Sequence, residues 1–259
     1  MANDGKTLER IHRRAPAEAD RGRCSAPRGP YDPEGGHTKE EADAEYEKLF
    51  RELHGVPGEK APGKRETHET AVLGGRDPCT DAVCSAIAYA NLKNRISPES
   101  RHLAYRAGNL DAEARRVLGM FGVATPPEIG DLRNRRVILV DHNAQAEAAE
   151  GIEEAIVTEI IDHHRLGGIT TRDPVYFRGE PVGATSTIVY RIYKEHGELP
   201  DRTDAGLLCS GIVSATRLFS SHATVGDDRL AAVELANIAG LDLQAHATAM
   251  FWGNTEDFG

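Results

Sequence analysis

The sequence predicts an α/β fold: a parallel sheet with helices on both faces, preceded by an irregular N-terminal extension. Three observations carry this. From residue 70 onward short apolar runs alternate with helical patterns, as expected of parallel strands joined by crossover helices. The apolar runs stop abruptly at polar side chains, as in VILVDHN (137–143) and TEIIDHHR (158–165). Before residue 70 proline, glycine and charge dominate, in APRGPYDPEGG (26–36) and GVPGEKAPGKRE (55–66), a composition that buries little apolar surface.

Residues 1–69 read as a low-complexity extension with one helix from Thr38 to about Leu53. Thr38 and Glu41 form a capping box, Ala42, Tyr46, Leu49, Phe50 and Leu53 share one face, and Gly55 can end the helix. Residues 70–259 read as the sheet domain. TAVLGG (70–75) is a strand entering a glycine turn, and DAVCSAIAYANLKN (81–94) is a helix with Val83, Ile87, Ala90 and Leu92 near one side. ARRVLGMFG (114–122) is a helix with a glycine stop. RRVILV (135–140) and EAIVTEII (154–161) are strands. Helices follow over about 183–196, 204–216 and 227–239, the last opened by Asp227-Asp228 and closed by Gly240.

The formal net charge of −10 over 259 residues argues against a nucleic-acid or membrane-surface partner. It also means that a phosphate site here needs local cations or a metal ion to reverse the sign. Cys24, Cys79, Cys84 and Cys209 form no CxxC pair, and no apolar run approaches a membrane span. Reduced thiols in a cytoplasmic protein are the expectation. Acidic residues interrupt the N-terminal arginines, which disfavours a transit peptide.

In an open parallel sheet, ligands bind beyond the carboxyl ends of the strands. Strand ends here carry the stretch Gly75 to Asp81, the pair Asp141-His142, and the triplet Asp162-His163-His164. Together they place short acids and imidazoles on one rim, where a metal ion can be shared.

GGRDPCTDAVCSAIAYANLKN, VILVDHN, VTEIIDHHR, RGEPVGATSTIVYRIYKE and AGLLCSGIVSATRLFSS resemble, in order and spacing, the DHH phosphoesterase domain of manganese-dependent (family II) inorganic pyrophosphatases. The resemblance covers roughly residues 70–250. It implies two-metal hydrolysis of pyrophosphate, in which paired cations activate water and neutralise phosphate oxygens. It assigns Asp141 as the carboxylate bridging the metals, Asp81 and His163 as ligands, and His164 as a substrate contact. Three expected ligand positions are altered: Gly75 and Ala215 carry no donor, and Cys79 offers a softer one. One side then keeps Asp81, Asp141 and His163, the other only Asp141 and Cys79. The expectation is one ion, manganese or another divalent metal, rather than two.

On the substrate side, Ser220 and Trp252 stand where the resemblance implies lysines, and Arg178 is a candidate phosphate contact or a surface ion-pair partner. The resemblance also implies a homodimer, and a further C-terminal domain beyond about Gly259. Asp162 reads as an acid orienting His163. His142, His222 and His246 read as surface or packing histidines, Cys84 and Cys209 as core, and Arg76 and Asp77 as turn residues. The functional expectation is a pyrophosphatase-like domain, acting on pyrophosphate or phosphate with weak or lost activity. The alternatives are a non-catalytic DHH relative serving binding or oligomerisation, or a DHH-type nucleotide phosphodiesterase. The absence of a basic, aromatic-rich tract disfavours the phosphodiesterase.

Overall fold

A computed structural model of the chain describes residues 69–252. These fall within one compact unit, Glu66–Gly259. The expected helix at 38–53 lies outside the described residues.

Five strands form one sheet: β1 (Glu69–Arg76), β2 (Arg101–Ala107), β3 (Arg136–Val140), β4 (Ile156–Asp162) and β5 (Tyr176–Gly179). Their order is β2-β1-β3-β4-β5, and every neighbouring pair is parallel. The chain first winds outward from β1 to β2 and then returns to the other side of β1. The switch point therefore lies between β1 and β3, where a ligand crevice opens in such sheets.

Alternation along the strands divides the core. Val72, Ile138, Val140 and Ile161 face a large cluster shared with the α-helices, while Ala71, Leu73, Val137, Leu139, Val157 and Ile160 face a smaller one. Val157 and Ile160 share a face although three positions apart because the register against β3 shifts there. The Thr158 hydroxyl in this irregular stretch donates to the Val137 carbonyl at 3.1 Å, so the extra residue leaves its polar group satisfied.

The described residues form six α-helices: α1 (Thr80–Ile96), α2 (Ala112–Met120), α3 (Thr185–Glu195), α4 (Arg202–Thr216), α5 (Gly226–Ala239) and α6 (Leu243–Trp252). α1 and α3 lie on the sheet, and α4 packs on both of them and on α5. This sandwiching buries α1 from Thr80 to Ala90 on all sides, not only on its predicted face. All six helices contribute buried residues to the large cluster. The smaller cluster on the other face is completed, among the described residues, by Ala148, Ala149, the one-turn 3₁₀ helix Ile152–Glu154 and the chain around Ile129 and Leu132.

The elements predicted within the described residues all form, within a few residues at each end, while β2, β5 and α6 are additions. β2 and β5 are edge strands. RHLAYRA is only half buried and YFRG is largely exposed, so neither shows the apolar run of a strand covered on both faces.

Candidate metal centre

The rim at the β1/β3 switch point is built from strand ends and two helix starts. β3 ends at Val140, and Asp141 follows with φ +63°, a conformation Asp tolerates better than most residues. Its backbone N–H donates to the Ile161 carbonyl at 2.9 Å, which holds the turn that lifts the carboxylate off the sheet edge. One strand over, β4 ends at Asp162, and His163 and His164 follow.

Ligand atoms of Asp141, His163 and His164 all lie within 4.8 Å of one another. His163 Nε2 is 3.4 Å and His164 Nδ1 3.9 Å from Asp141 Oδ1. The Cys79 thiol donates to the opposite oxygen, Oδ2, at 3.3 Å. The carboxylate thus has two histidines at one oxygen and a sulfur at the other, with the Thr185 hydroxyl donating to Oδ1 at 2.8 Å.

Asp81 is not in that group of three. It sits fully buried in the first turn of α1. Oδ2 accepts from the Thr185 N–H at 2.7 Å, and Oδ1 accepts from the Ser186 N–H at 3.0 Å and the Ser186 hydroxyl at 2.5 Å. Those amides are the first two of α3, so Asp81 caps one helix from the start of another. Burial first, and then the charge of Asp141, raise its pKa to about 6, against the lowering effects of His163 and Ser186.

Burial pulls the His163 pKa down, but the hydrogen bond to Asp141 and the charges of Asp81 and Asp141 outweigh it and raise the value to about 9. The Cys79 residue presents surface to solvent, yet its sulfur is turned inward. Burial of the sulfur, then the charges of Asp141 and Asp81, push the thiol far above its usual range. In the absence of a cation it is a neutral donor.

The DHH aspartate orients a different ring from the one expected. Asp162 Oδ1 accepts from the His164 ring at 2.8 Å and from the backbone N–H groups of His163 and His164 at 2.8 and 3.1 Å. The His163 ring bonds instead through Nδ1 to the Val182 carbonyl at 3.0 Å, which leaves Nε2 facing Asp141. The reason is geometric: Asp162 already satisfies the backbone at both histidines, and only the second ring folds back within its reach. The hydrogen bond to Asp162 raises the His164 pKa.

Other expectations sort plainly. Cys84 and Cys209 are core. His246 is buried and bonds Ser210 Oγ at 2.8 Å, whereas His222 is exposed. His142 is buried with Nδ1 on the Val140 carbonyl at 3.1 Å. Its Nε2 has no hydrogen-bond partner among the described residues. Asp77 is an exposed turn residue accepting from the Asn109 N–H at 2.8 Å. The structure does not bring Arg178 into the Asp141 group. Its guanidinium is held by Glu180 and Glu195, each at 2.7 Å, and it lines a separate cavity of about 390 Å³ with Tyr89, Lys93, Glu159 and Tyr176.

The sequence reading missed Thr185, Ser186 and Asn143. Asn143 is buried and donates to Asp162 and to the Arg165 carbonyl at 3.1 Å. The signal for Thr185 and Ser186 was the hydroxyl pair opening a helix just after EPVG. Gly211 is part of the same arrangement, because a Cβ there would lie 2.2 Å from Ser186 Oγ and 2.7 Å from Asp81 Oδ1. Gly211→Ala is expected to lower stability by about 1–3 kcal/mol through overpacking, read as a drop in thermal midpoint. A midpoint equal to the native one would show that the cap relaxes freely.

Fold and rim together define a class: a parallel α/β domain with a carboxylate–imidazole group at the switch point of its sheet. The chain belongs to the DHH family, whose N-terminal domain profile matches residues 69–212. Relatives named "Probable manganese-dependent inorganic pyrophosphatase" include one from Shouchella clausii, 44% identical over 184 residues, covering 70% of this chain and 58% of the relative. Another, from Clostridium acetobutylicum, is 40% identical over 185 residues, covering 71% and 59%. The chain thus spans less than two thirds of these relatives. A Methanococcus jannaschii crystal structure carrying a family II inorganic pyrophosphatase name matches at TM-score 0.66 and 31% identity, over 71% of this chain and 61% of that one. An exopolyphosphatase-related protein from Bacteroides fragilis shares the fold at TM-score 0.55 and 15% identity.

Proposed function

We propose that this domain is a pyrophosphatase-type DHH hydrolase reduced to a single divalent ion, manganese by kinship, with slow pyrophosphate turnover. The observation that carries the reading is the convergence of Asp141, His163 and His164 within 4.8 Å in a chain whose relatives bear the pyrophosphatase name.

The donor set supports one ion and not a pair. Asp141 and His163 would hold it. Asp81 stands next to them with both oxygens engaged by α3, as an acid that shares its bonds or stays in the outer layer. Among the described residues no second group of three ligands includes Asp141 Oδ2, which has the Cys79 thiol beside it. A side chain at residue 75 would meet the Glu147 carbonyl at 3.1 Å and the His142 ring at 3.6 Å, and Ala215 packs against the apolar core. A bound divalent ion would polarise a phosphoryl oxygen and acidify a bound water. The chain's own contribution is to orient ligands: Thr185 steadies Asp141, Val182 fixes the His163 ring, and Asp162 turns the exposed His164 ring toward solvent and incoming phosphate.

Among the described residues no helix is long and apolar enough to cross a membrane. We place the domain in the cytoplasm, with pyrophosphate or phosphate as its small-molecule partner. A non-catalytic binding role is the second reading. It is favoured by the neutral Cys79 thiol and the tightly bonded Asp81.

The test is metal content after dialysis against manganese. At most one ion per chain is expected, and none in Asp141→Ala. Two tightly held ions in the native chain would defeat the single-ion reading, and no ion at all would defeat the metal-site reading.

A further inference from the structure

Three residues of the rim take their orientation from one short segment. The Val182 carbonyl accepts from His163, the Thr185 hydroxyl donates to Asp141, and the Thr185 and Ser186 amides and the Ser186 hydroxyl donate to Asp81. Residues 182–186 therefore act as a strap across the site, and the position of the strap is the position of the ligands.

The strap is clamped from behind. Asp228, fully buried in the first turn of α5, accepts from the Gly183 N–H at 2.8 Å through Oδ2 and from the Thr187 hydroxyl at 2.7 Å through Oδ1. These contacts hold the strap at its second residue and at the residue just past its end. A third, from the Val225 N–H at 2.8 Å, fixes the carboxylate to the start of α5. The approach leaves no room to spare. A Cβ at Gly183 would lie 2.7 Å from Asp228 Oδ2 and 2.9 Å from Thr216 Cγ2. Asp228 does not belong to the group of three ligand-bearing residues. A buried charge with three N–H or O–H donors is well satisfied, and removing it would orphan those donors.

We propose that Asp228 is the positioning residue of this metal centre: by clamping Gly183 and Thr187 it sets the strap that aims His163, Asp141 and Asp81. The proposal rests on the metal-site reading for its functional meaning, while the clamp itself can be read without metal.

Asparagine is the discriminating substitution. Its oxygen can accept from Gly183 and Val225, and its amide can donate to the Thr187 hydroxyl, which is able to accept. Asp228→Asn therefore keeps the clamp, Asp228→Ala removes it, and Thr187→Val releases one end should the alanine variant fail to fold. The first readout is the ring N–H resonance of His163 in histidine-¹⁵N-labelled, metal-free full chain, identified by its loss in His163→Gln. Bonded to a carbonyl, it should be sharp in the native chain and in Asp228→Asn, and broadened or absent in Asp228→Ala and Thr187→Val well below their melting points. The second readout is the manganese dissociation constant of the full chain. Outer partners of metal ligands typically contribute about 10- to 100-fold. That weakening is expected in Asp228→Ala, a smaller one in Thr187→Val, and near-native affinity in Asp228→Asn. An unchanged His163 signal in Asp228→Ala and Thr187→Val, or native manganese affinity in both, would overturn the proposal. A native chain that shows the expected His163 behaviour but binds no manganese would instead sink the metal-site reading and leave the clamp standing.

Discussion

Pyrophosphate hydrolysis by this chain with manganese should run on the order of 10³-fold or more below that of a relative with every ligand position filled. On the single-ion reading, several kcal/mol of charge stabilisation in the transition state is missing, and each 1.4 kcal/mol is about tenfold in rate. Three positions carry the expectation: Gly75, Cys79 and Ala215. Ala215→Asp alone should stay near background, because ligands acting as a unit are not restored singly. The triple change Gly75→His, Cys79→Asp and Ala215→Asp should regain a second ion but only part of the turnover. Its weak point is residue 75, where the Glu147 carbonyl at 3.1 Å and the His142 ring at 3.6 Å occupy the space beside the backbone. The turn at Gln145–Glu147 must give way before an imidazole fits. Phosphate release across native, single and triple variants checks this. Fast manganese-dependent turnover by the native chain would mean that another side chain supplies the missing donor. The unpartnered Nε2 of buried His142 is the first to examine.

How much of this was legible in the sequence follows from what each feature depends on. The interior strands β1, β3 and β4 are covered on both faces and so read as continuous apolar runs, and the polar residues that end them fall on one rim by topology alone. Asp141, His163 and His164 were therefore visible as a convergence before any coordinates. Edge strands β2 and β5 carry charge on their open side and lose that signature. Ring orientation was not legible either. Whether Asp162 turns His163 or His164 depends on a fold-back of two residues, and the partner of His163, the Val182 carbonyl, has no side-chain identity to read. Asp81 shows the same limit from the other direction. Its place at a helix start was evident, but its capture by the amides of α3 joins residues more than a hundred positions apart. For Arg178, just before Glu180-Pro181, the sequence left a phosphate contact and a surface ion pair equally open; strand alternation sends it to the face of Glu159 and Ile161, under the carboxylates of Glu180 and Glu195.

The metal-free domain should lose stability as the pH rises through the range in which His163 gives up its proton. The folded-state pKa of His163, about 9, lies above the usual value of 6.5. The native state therefore holds the extra proton more tightly than the unfolded chain. That contribution is complete below pH 6.5 and is lost by about pH 9, a difference on the order of 3 kcal/mol. Asp81, raised from 3.8 to about 6, acts with the same sign in a lower window, so its contribution is gone before the upper step begins. His102 and His246 are held below the usual histidine value, by burial first. They act with the opposite sign and below pH 6.5, so they do not mask the upper step. Denaturant midpoints of chelator-treated protein between pH 6.5 and 9 should therefore fall, and His163→Gln should make the descent shallower, leaving the part that His164, raised by its hydrogen bond to Asp162, contributes with the same sign. A divalent ion should reverse the trend: it competes with the proton for His163 and carries its own positive charge to Asp141 and Asp81, so its affinity rises over the same range. Manganese added at pH 9 should thus stabilise the native chain more than at pH 6.5, and Asp141→Ala not at all. A pH-independent midpoint in the metal-free native chain would show that His163 does not hold its proton against Asp141, and that the rim is not an acid-rich cradle for a cation.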